Sequence, residues 1–378
     1  MRIAVLSETD PVETRVAATP DMVKKYKNLG ADVVVQAGAG GQASIADAEF
    51  EAAGATIAQN AGDAVKDADI ILKVRRPADG ELNGLKKGAL FIGIMDPYGQ
   101  DAALKALADA GASAFAMELM PRITRAQVMD VLSSQANLAG YRAMVDAAEE
   151  YGKAVPMMMT AAGTVPAARI FVMGAGVAGL QAIATARRMG GIVTATDVRP
   201  AAKEQVESLG AKFIAVEDEE FKQAETAGGY AKEMSKEYQA KQAELVSSHI
   251  AKQDIVITTA LIPGRPAPKL ISRAMVESMK PGSVIVDLAV ERGGNCEVAK
   301  PGEVAQHNGV KVVGHLNVPG RLANTASSLY ARNLYAFVET LVDKASKQLA
   351  VKWDDELVKA TCLTRDGAIV HAAFQPKA

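Results

Sequence analysis

The stretch that decides the fold runs Arg-Ile-Phe-Val-Met-Gly-Ala-Gly-Val-Ala-Gly-Leu over residues 169–180 and, after an Ala-rich segment, Ile-Val-Thr-Ala-Thr-Asp over residues 192–197. This order of β-branched run, glycine turn, helical segment and second β-branched run predicts a βαβ unit of the dinucleotide-binding type. Gly174 and Gly176 permit a tight turn and close backbone approach to a pyrophosphate, and Gly179 permits close packing of helix on strand. The simpler alternative is a βαβ unit that only packs.

Asp197 ends the second of these strands, where a carboxylate can accept both ribose hydroxyls of an adenosine. Because an acid disfavours a 2′-phosphate, the sequence predicts NAD(H) over NADP(H). Arg199 lies two residues further on and leaves the other choice open, since an arginine at that place can bind a phosphate.

The composition excludes several classes of protein. The chain has 378 residues, 49% of them hydrophobic and 4% aromatic, and a net charge of −2, so no overall field attracts nucleic acid or an anionic membrane. Two distant cysteines and four scattered histidines predict no disulfide framework and no metal site, and they favour a reducing cytosol. No targeting segment is visible at the N-terminus, and the apolar stretch 170–186 is explained by the βαβ unit.

A recurring junction sets the organisation of the chain. A helical pattern ends in glycine and a β-branched run follows at Gly30, Gly54, Gly111, Gly190 and Gly210. Glycine just past a helix closes the last turn, so each junction marks a passage from helix to strand. Alternating helices and strands predict an α/β fold with two doubly wound parallel-sheet, Rossmann-like domains.

The predicted domains are residues 1–132 with a returning segment 323–378, and residues 133–322. The first would use five strands, near Arg2–Leu6, Asp32–Gln36, Ile70–Val74, Leu90–Ile94 and Ser113–Met117. The second would use six in the order 3-2-1-4-5-6, near Arg169–Met173, Ile192–Asp197, Lys212–Val216, Asp254–Thr259, Ser283–Leu288 and Val310–Gly314. Long helices near Ser133–Gly152 and Leu322–Leu341 would link the domains, with the cofactor in the cleft between them. The tail to Phe374 would return to the first domain through a hairpin.

Two segments carry polar residues at places that suggest function. Residues 117–141 crowd polar side chains near the expected domain junction, although Thr124 and Gln127 also have the spacing of a helix capping box. About 25 charged residues around 218–245 interrupt a strand-to-helix passage; they predict either a mobile loop hinged at Gly228 and Gly229, with Tyr230 folding over a ring, or a solvated helical insertion. Asp10 and Asp96, each followed by proline, are predicted turn residues.

At these residues the sequence resembles the NAD(H)-binding components of proton-translocating (Re/Si-specific) nicotinamide nucleotide transhydrogenases. The motifs that carry the resemblance are Met-Pro-Arg-Ile-Thr-Arg-Ala-Gln at 120–127, Met-Met-Met-Thr-Ala-Ala-Gly-Thr-Val-Pro at 157–166, the glycine-rich run at 174–186, Glu-Thr-Ala-Gly-Gly-Tyr at 225–230 and Gly-Gly-Asn-Cys-Glu at 293–297. The resemblance implies a homodimer, inactive alone, that passes hydride from NADH to NADP⁺ on a partner component. A membrane-spanning component couples the reaction to proton movement, so the chain would be cytoplasmic and peripheral to the inner membrane.

The resemblance also implies roles for particular residues. The residues expected to act on the nicotinamide are Arg122, Gln127 and Asp130, with Ser133 completing that loop. Those expected to bind the rest of the cofactor are Gly174, Ala175, Gly176, Val177, Gly179, Asp197, Val198, Arg199, Gly229, Tyr230, Gln242 and Leu261. Arg122, Gln127 and Asp130 would position the ring without exchanging protons, which sets the implied role of Gln127 against the capping box.

Two other functions remain open at this stage. Alanine dehydrogenase is similar in fold, and Arg15 and Lys73 resemble that family's substrate contacts, but Met95-Asp96-Pro97 stands where it has a catalytic histidine and Glu291 replaces its catalytic aspartate. Loss of a general acid or base costs about 10²–10⁴-fold in rate. The other alternative is a non-catalytic module that senses NAD and reports to a partner.

Overall fold

The computed structural model describes residues 1–78, 80–223, 234–262 and 264–375. The chain divides into two compact units, Met1–Gln135 with Pro319–Ala378, and Ala136–Val318. Within the described residues, no helix combines the length and apolar character that crossing a membrane requires.

The first unit contains a six-stranded parallel sheet. Its strands are β1 (Arg2–Val5), β2 (Asp32–Gln36), β3 (Thr56–Ala58), β4 (Ile70–Arg75), β5 (Leu90–Ile94) and β6 (Ser113–Ala116), in the order β3-β2-β1-β4-β5-β6. Its first helices are α1 (Pro20–Asn28), α2 (Asp47–Ala52), α3 (Ala61–Val65) and α4 (Asp101–Asp109). The sequence predicted five of the strands and missed β3, a three-residue edge strand. The turn at Gly54 that precedes β3 was the available signal.

Helix α5 (Val131–Glu150) follows and begins two residues before the predicted Ser133. Asp130 caps it, because its carboxylate accepts hydrogen bonds from the backbone N–H of Ser133 at 2.9 Å and from the Ser133 hydroxyl at 2.5 Å. Strands β7 (Met158–Thr160) and β8 (Gly163–Val165) then form an antiparallel hairpin that the sequence did not predict.

The second unit is built on a seven-stranded sheet. Its strands are β9 (Arg169–Met173), β10 (Ile192–Thr196), β11 (Lys212–Phe213), β12 (Ile255–Thr258), β13 (Val284–Asp287), β14 (Val304–His307) and β15 (Val310–Val313). Its helices are α6 (Val177–Arg188), α7 (Ala202–Ser208), α8 (Glu219–Lys222), α9 (Lys236–Ile250) and α10 (Arg273–Ser278). The order β11-β10-β9-β12-β13-β15-β14 confirms the predicted 3-2-1-4-5-6 arrangement of the six parallel strands.

The seventh strand corrects the prediction of six. β14 pairs antiparallel with β15 at the sheet edge, and an Asn308-Gly309 turn with positive φ at both residues joins them. Asn-Gly is a strong signal for such a hairpin, but the polar alternation of β14 conceals the strand in the sequence. β11 is also shorter than the predicted Lys212–Val216.

The charged stretch after β11 is largely helical where the structure describes it. α8 is short, and α9 begins at Lys236, after Ser235 accepts a hydrogen bond from the Tyr238 N–H. The stretch predicted as a loop is therefore helical from residue 236. Gly228, Gly229 and Tyr230 lie outside the described residues.

The C-terminal part of the chain completes the first unit. Its elements are α11 (Ala323–Thr340), the strand pair β16 (Val342–Asp343) and β17 (Gln348–Leu349), α12 (Glu356–Thr361), and the strand pair β18 (Thr364–Arg365) and β19 (Ala368–Ile369). Tyr330, Leu334 and Phe337 of α11 are fully buried. The predicted hairpin near 364–370 is confirmed, with Asp366 and Gly367 at its turn.

All five junction glycines have positive φ and follow a helix directly. The prediction that they mark passages from helix to strand is therefore confirmed, because glycine adopts that backbone conformation without steric cost.

Candidate functional site

The glycine-rich loop lies between the end of β9 and the start of α6. Gly174 has φ 103°, and a Cβ atom there would overlap the Thr259 hydroxyl. A Cβ atom on Gly179 would overlap the carbonyl oxygen of Gly174. These two glycines are therefore required by the fold itself, one for the turn and one for the close contact of α6 with the strand end.

Gly176 is different, because nothing within the chain demands a glycine there. Its φ of −74° suits any residue, and a Cβ atom would meet no described atom within 4 Å. Gly176 is the N-cap residue of α6 and provides no side chain to satisfy the N–H groups of the first helical turn. The backbone thus leaves an open, partly positive surface that fits a pyrophosphate, in which a side chain at residue 176 would intrude.

Asp197 joins this loop to the end of β10. Its carboxylate accepts a hydrogen bond from the Ala175 N–H at 2.7 Å and holds the Arg199 guanidinium at 3.0 Å. Only 8% of the Asp197 side chain is exposed. In this state Asp197 and Arg199 neutralise each other, so a ribose that binds the carboxylate would replace the guanidinium.

The other residues predicted to bind the cofactor lie around the same strand ends. Gln242 of α9 donates to the Thr196 hydroxyl at 3.1 Å and accepts from the Val216 N–H at 3.0 Å. Val198 is 46% exposed and Leu261 is 53% exposed. Because β10, β9 and β12 are adjacent parallel strands, the segments that follow them meet at one edge of the sheet.

Asn295 is a residue to which the sequence analysis assigned no role. Its side chain is fully buried, donates to the carbonyls of Ala260 and Pro268 at 2.9 Å each, and accepts from the Ala260 N–H at 3.1 Å. It therefore shapes the segment that carries Leu261. The Gly-Gly-Asn run at 293–295, soon after a buried strand, was the available signal.

The residues predicted for the nicotinamide lie in the first unit. Arg122 is exposed and precedes a 3₁₀ helix at Thr124–Met129, on which Gln127 is also exposed. Ile123 is the N-cap of this helix, Thr124 is its first residue, and no side chain caps it, so the capping-box prediction is wrong. Asp130 and Ser133 are hydrogen-bonded to each other at the start of α5.

A second group of ionisable residues is buried in the first unit. Arg15 binds the Glu13 carboxylate through two nitrogens at 2.7 Å and donates to Gln135 at 2.8 Å, and Lys73 donates to Glu81 at 2.6 Å. The two residues that resemble substrate contacts of alanine dehydrogenase are therefore already paired. Burial alone would raise the pKa of Glu13, but Arg15 and Arg75 lower it to about 2.

Two neighbouring carboxyl groups behave in the opposite way. Burial raises the pKa of Glu8 to about 7, although Lys73 and the Val74 N–H oppose the change. Burial also raises the pKa of Glu118 to about 7, although that carboxylate accepts from the N–H groups of Met95 and Asp96. Asp96 has φ 46°, in keeping with its predicted place in a turn, and Asp10 accepts from the Val12 N–H in a turn of its own.

The remaining candidates have structural surroundings. His249 packs edge-on against Phe171 and is hydrogen-bonded to Thr194 at 2.8 Å. Both cysteines are buried free thiols. Among the residues with described positions, no three histidine, cysteine or acidic side chains are grouped to hold a metal ion.

Comparison with known proteins identifies similar chains. Residues 4–139 match the family described as "Alanine dehydrogenase/PNT, N-terminal domain" and residues 143–372 match "Alanine dehydrogenase/PNT, C-terminal domain". An NAD(P) transhydrogenase subunit alpha of Rhodospirillum rubrum is 57% identical over 99% of both chains. The crystal structure of a transhydrogenase from Sinorhizobium meliloti is 64% identical, with a TM-score of 0.90 over 98% of this chain and 100% of that one. An alanine dehydrogenase of Halomonas elongata is 31% identical over 99% of this chain and 95% of its own length.

The difference between Gly176 and Gly179 yields a paired prediction. Gly176→Ala should fold normally but weaken NADH binding about tenfold or more, because the new methyl group occupies the surface left open for the pyrophosphate. Gly179→Ala should lower the free energy of unfolding by about 1–3 kcal/mol, because the methyl group overlaps the Gly174 carbonyl. NADH titration and urea denaturation measure the two effects, and Gly152→Ala, which has open space, is the control. Unchanged NADH affinity in Gly176→Ala would contradict the assignment of that surface.

The raised pKa of Glu8 predicts a pH dependence of stability. Between pH 4.5 and 7 the folded chain keeps a proton on Glu8 that the unfolded chain releases, so the free energy of unfolding falls as pH rises and levels off above pH 7. Glu8→Gln should reduce the fall between pH 5 and 7.5 by roughly 2 kcal/mol. Urea denaturation at each pH measures this change, with the exposed Glu51→Gln as control. Parallel curves for Glu8→Gln and the unsubstituted chain would refute it.

Proposed function

This chain belongs to the alanine dehydrogenase/PNT family, and from that premise we propose that it is the NAD(H)-binding component of a proton-translocating NAD(P) transhydrogenase. It binds NAD(H) and exchanges hydride with NADP(H) held on a partner component. A third, membrane-spanning component couples the exchange to proton movement and keeps this chain at the membrane. The open backbone surface at Gly176 is the observation that carries nucleotide binding.

The second unit provides the grip on the nucleotide. The first-turn N–H groups of α6 donate to the pyrophosphate, and the positive end of the helix dipole favours its charge. Asp197 accepts the ribose hydroxyls once Arg199 moves aside. This exchange keeps the carboxylate compensated by hydrogen bonds from the Ala175 N–H and the ribose, and it favours NAD(H), because a 2′-phosphate would face the same carboxylate.

The polar loop at 122–133 provides orientation of the reacting ring. Bound dihydronicotinamide supplies the hydride, so the chain needs no proton donor or nucleophile for this reaction. Arg122 and Gln127 present polar groups from an exposed segment, while Asp130 and Ser133 form a rigid pair at the start of α5. These groups orient the ring so that its reactive carbon can come within about 3–3.5 Å of an acceptor.

Alanine dehydrogenation is the second candidate, because a relative with that name is 31% identical. The chemistry of the first unit disfavours it. Arg15 and Lys73 are neutralised by Glu13 and Glu81, so a substrate carboxylate would have to displace a buried partner. Met95-Asp96-Pro97 provides no histidine for the amine and carbonyl protons. A non-catalytic NAD sensor is the third candidate.

We further propose that the chain is a homodimer, with the β7–β8 hairpin at the contact between its copies. Met157, Met158 and Met159 are 55%, 43% and 78% exposed. Adjacent exposed methionines form an apolar, adaptable surface that is typical of interaction sites.

The dimer proposal predicts an effect on mass in solution. The unsubstituted chain should sediment as a dimer, and Met159→Asp should shift it toward the monomer because a carboxylate would be buried at the contact. Val370→Asp, at a single exposed apolar residue, is the control and should remain dimeric. Analytical ultracentrifugation provides the measurement. A monomeric unsubstituted chain would contradict the proposal.

The proposed activity predicts three linked results. The chain alone should neither transfer hydride to an NADP⁺ analogue nor form NADH from alanine. Addition of the NADP(H)-binding component of a transhydrogenase should start rapid hydride transfer, measured by absorbance. In that complex Gln127→Asn should lower the rate about tenfold or more by displacing the ring, with NADH affinity nearly unchanged.

Other outcomes would favour the other candidates. Formation of NADH from alanine by the chain alone would establish the dehydrogenase. NADH binding with no activity in either assay would favour the sensor. Full transfer by Gln127→Asn would remove the proposed role of that residue.

A further inference from the structure

The 3₁₀ helix Thr124–Met129 is held in place by the C-terminal part of the chain. We propose that Arg125 is a positioning residue for hydride transfer: through Asp355 and Glu356 it fixes the short helix that carries Gln127. This inference rests on the proposed function, because that function places the nicotinamide at the 122–133 loop.

Arg125 makes a multidentate contact across the fold of the first unit. Its Nη1 donates to Asp355 Oδ2 at 2.9 Å and its Nη2 to Asp355 Oδ1 at 2.7 Å, so the guanidinium binds the carboxylate in the two-pronged geometry that favours arginine. Nη2 and Nε also donate to Glu356 Oε1, at 3.1 and 3.3 Å. The hydrogen bonds to Asp355 raise the pKa of Arg125, and Arg125 lowers the pKa of Asp355.

Asp355 is itself fixed, which makes it a firm anchor. Its Oδ1 accepts a hydrogen bond from the Leu357 N–H at 2.8 Å and so caps helix α12. Leu357 and Val358 bury that helix in the core of the first unit. Arg125 is thereby tied to a packed element that lies about 230 residues away in the chain.

A second contact holds the other end of the 3₁₀ helix. Asn333 of α11 donates to the Val128 carbonyl at 2.8 Å and accepts from the Ser134 hydroxyl at 2.7 Å. Gln127 therefore lies between two anchored positions, Arg125 and Val128.

The short helix needs such anchors because its own stability is small. Hydrogen-bond geometry in 3₁₀ helices is poor, and of its six residues only Ala126 and Met129 are buried. An exposed ion pair adds little to global stability, but a multidentate one can select among the positions of a short segment. A displacement of about 1 Å at a reacting group costs about 10²-fold in rate, so a local anchor can matter for transfer without mattering for folding.

The test compares variants of Arg125 in the complex of this chain with its NADP(H)-binding partner. Arg125→Ala should lower the rate of hydride transfer at saturating NADH about tenfold, while the NADH dissociation constant changes less than about twofold, because the nucleotide grip lies elsewhere. Arg125→Lys should recover only part of the rate, since lysine cannot bind a carboxylate through two nitrogens. Backbone amides of residues 124–130 should exchange hydrogen faster in Arg125→Ala.

Two further variants separate positioning from general stability. Asp355→Asn keeps a side chain that can cap α12 but removes the charge, and it should reproduce the Arg125→Ala effect, with no added loss in the double variant. Lys359→Ala removes an exposed ion pair with Asp354 on the same helix and should change nothing.

The outcomes distinguish the two proposals. Unchanged transfer and amide exchange in Arg125→Ala would overturn the positioning role alone. A parallel loss of NADH affinity, melting temperature and rate would also overturn it, in favour of a merely structural role. Absence of transfer by the unsubstituted complex would overturn the proposed function, and the positioning role with it.

Discussion

The contact between α6 and the end of β9 is the constraint on which the nucleotide site depends. Gly179 lies so close to the Gly174 carbonyl that no side chain fits between them. The first turn of α6 is consequently held against the strand end, and its N–H groups open onto the surface at Gly176. Packing has thus fixed the helix end before any anion binds, so binding there costs little ordering entropy.

Compensation of buried charge organises the rest of the chemistry. Asp197 is held by Arg199 and the Ala175 N–H, and in the first unit Arg15 and Lys73 are held by Glu13 and Glu81. The two cases differ in access, because Arg199 is 30% exposed whereas Arg15 and Lys73 are almost fully buried. A ligand can therefore displace Arg199 at modest cost, whereas displacement in the first unit leaves a buried charge unpaired.

Much of the fold could be predicted from the sequence because its signals are local. Helix-ending glycines, β-branched runs and the Gly-x-Gly-x-x-Gly turn each act within a few residues, and parallel strands with helical crossovers have few allowed topologies. Those signals found every long parallel strand and the order of six of them. They missed β3, the β7–β8 hairpin and β14, because short or polar strands depend on a neighbour to form hydrogen bonds.

The sequence by itself determined the glycine loop, the acid after β10 and the family resemblance, since each is written in contiguous residues. Only the tertiary structure decided that Gly176 alone of the three motif glycines is free of protein contacts, and that Thr124 does not cap its helix. It also decided that Arg125 meets Asp355 and that Asn295 holds the segment of Leu261. Such pairs join positions from 35 to 230 residues apart, and no local pattern encodes which distant side chains the folded path brings together.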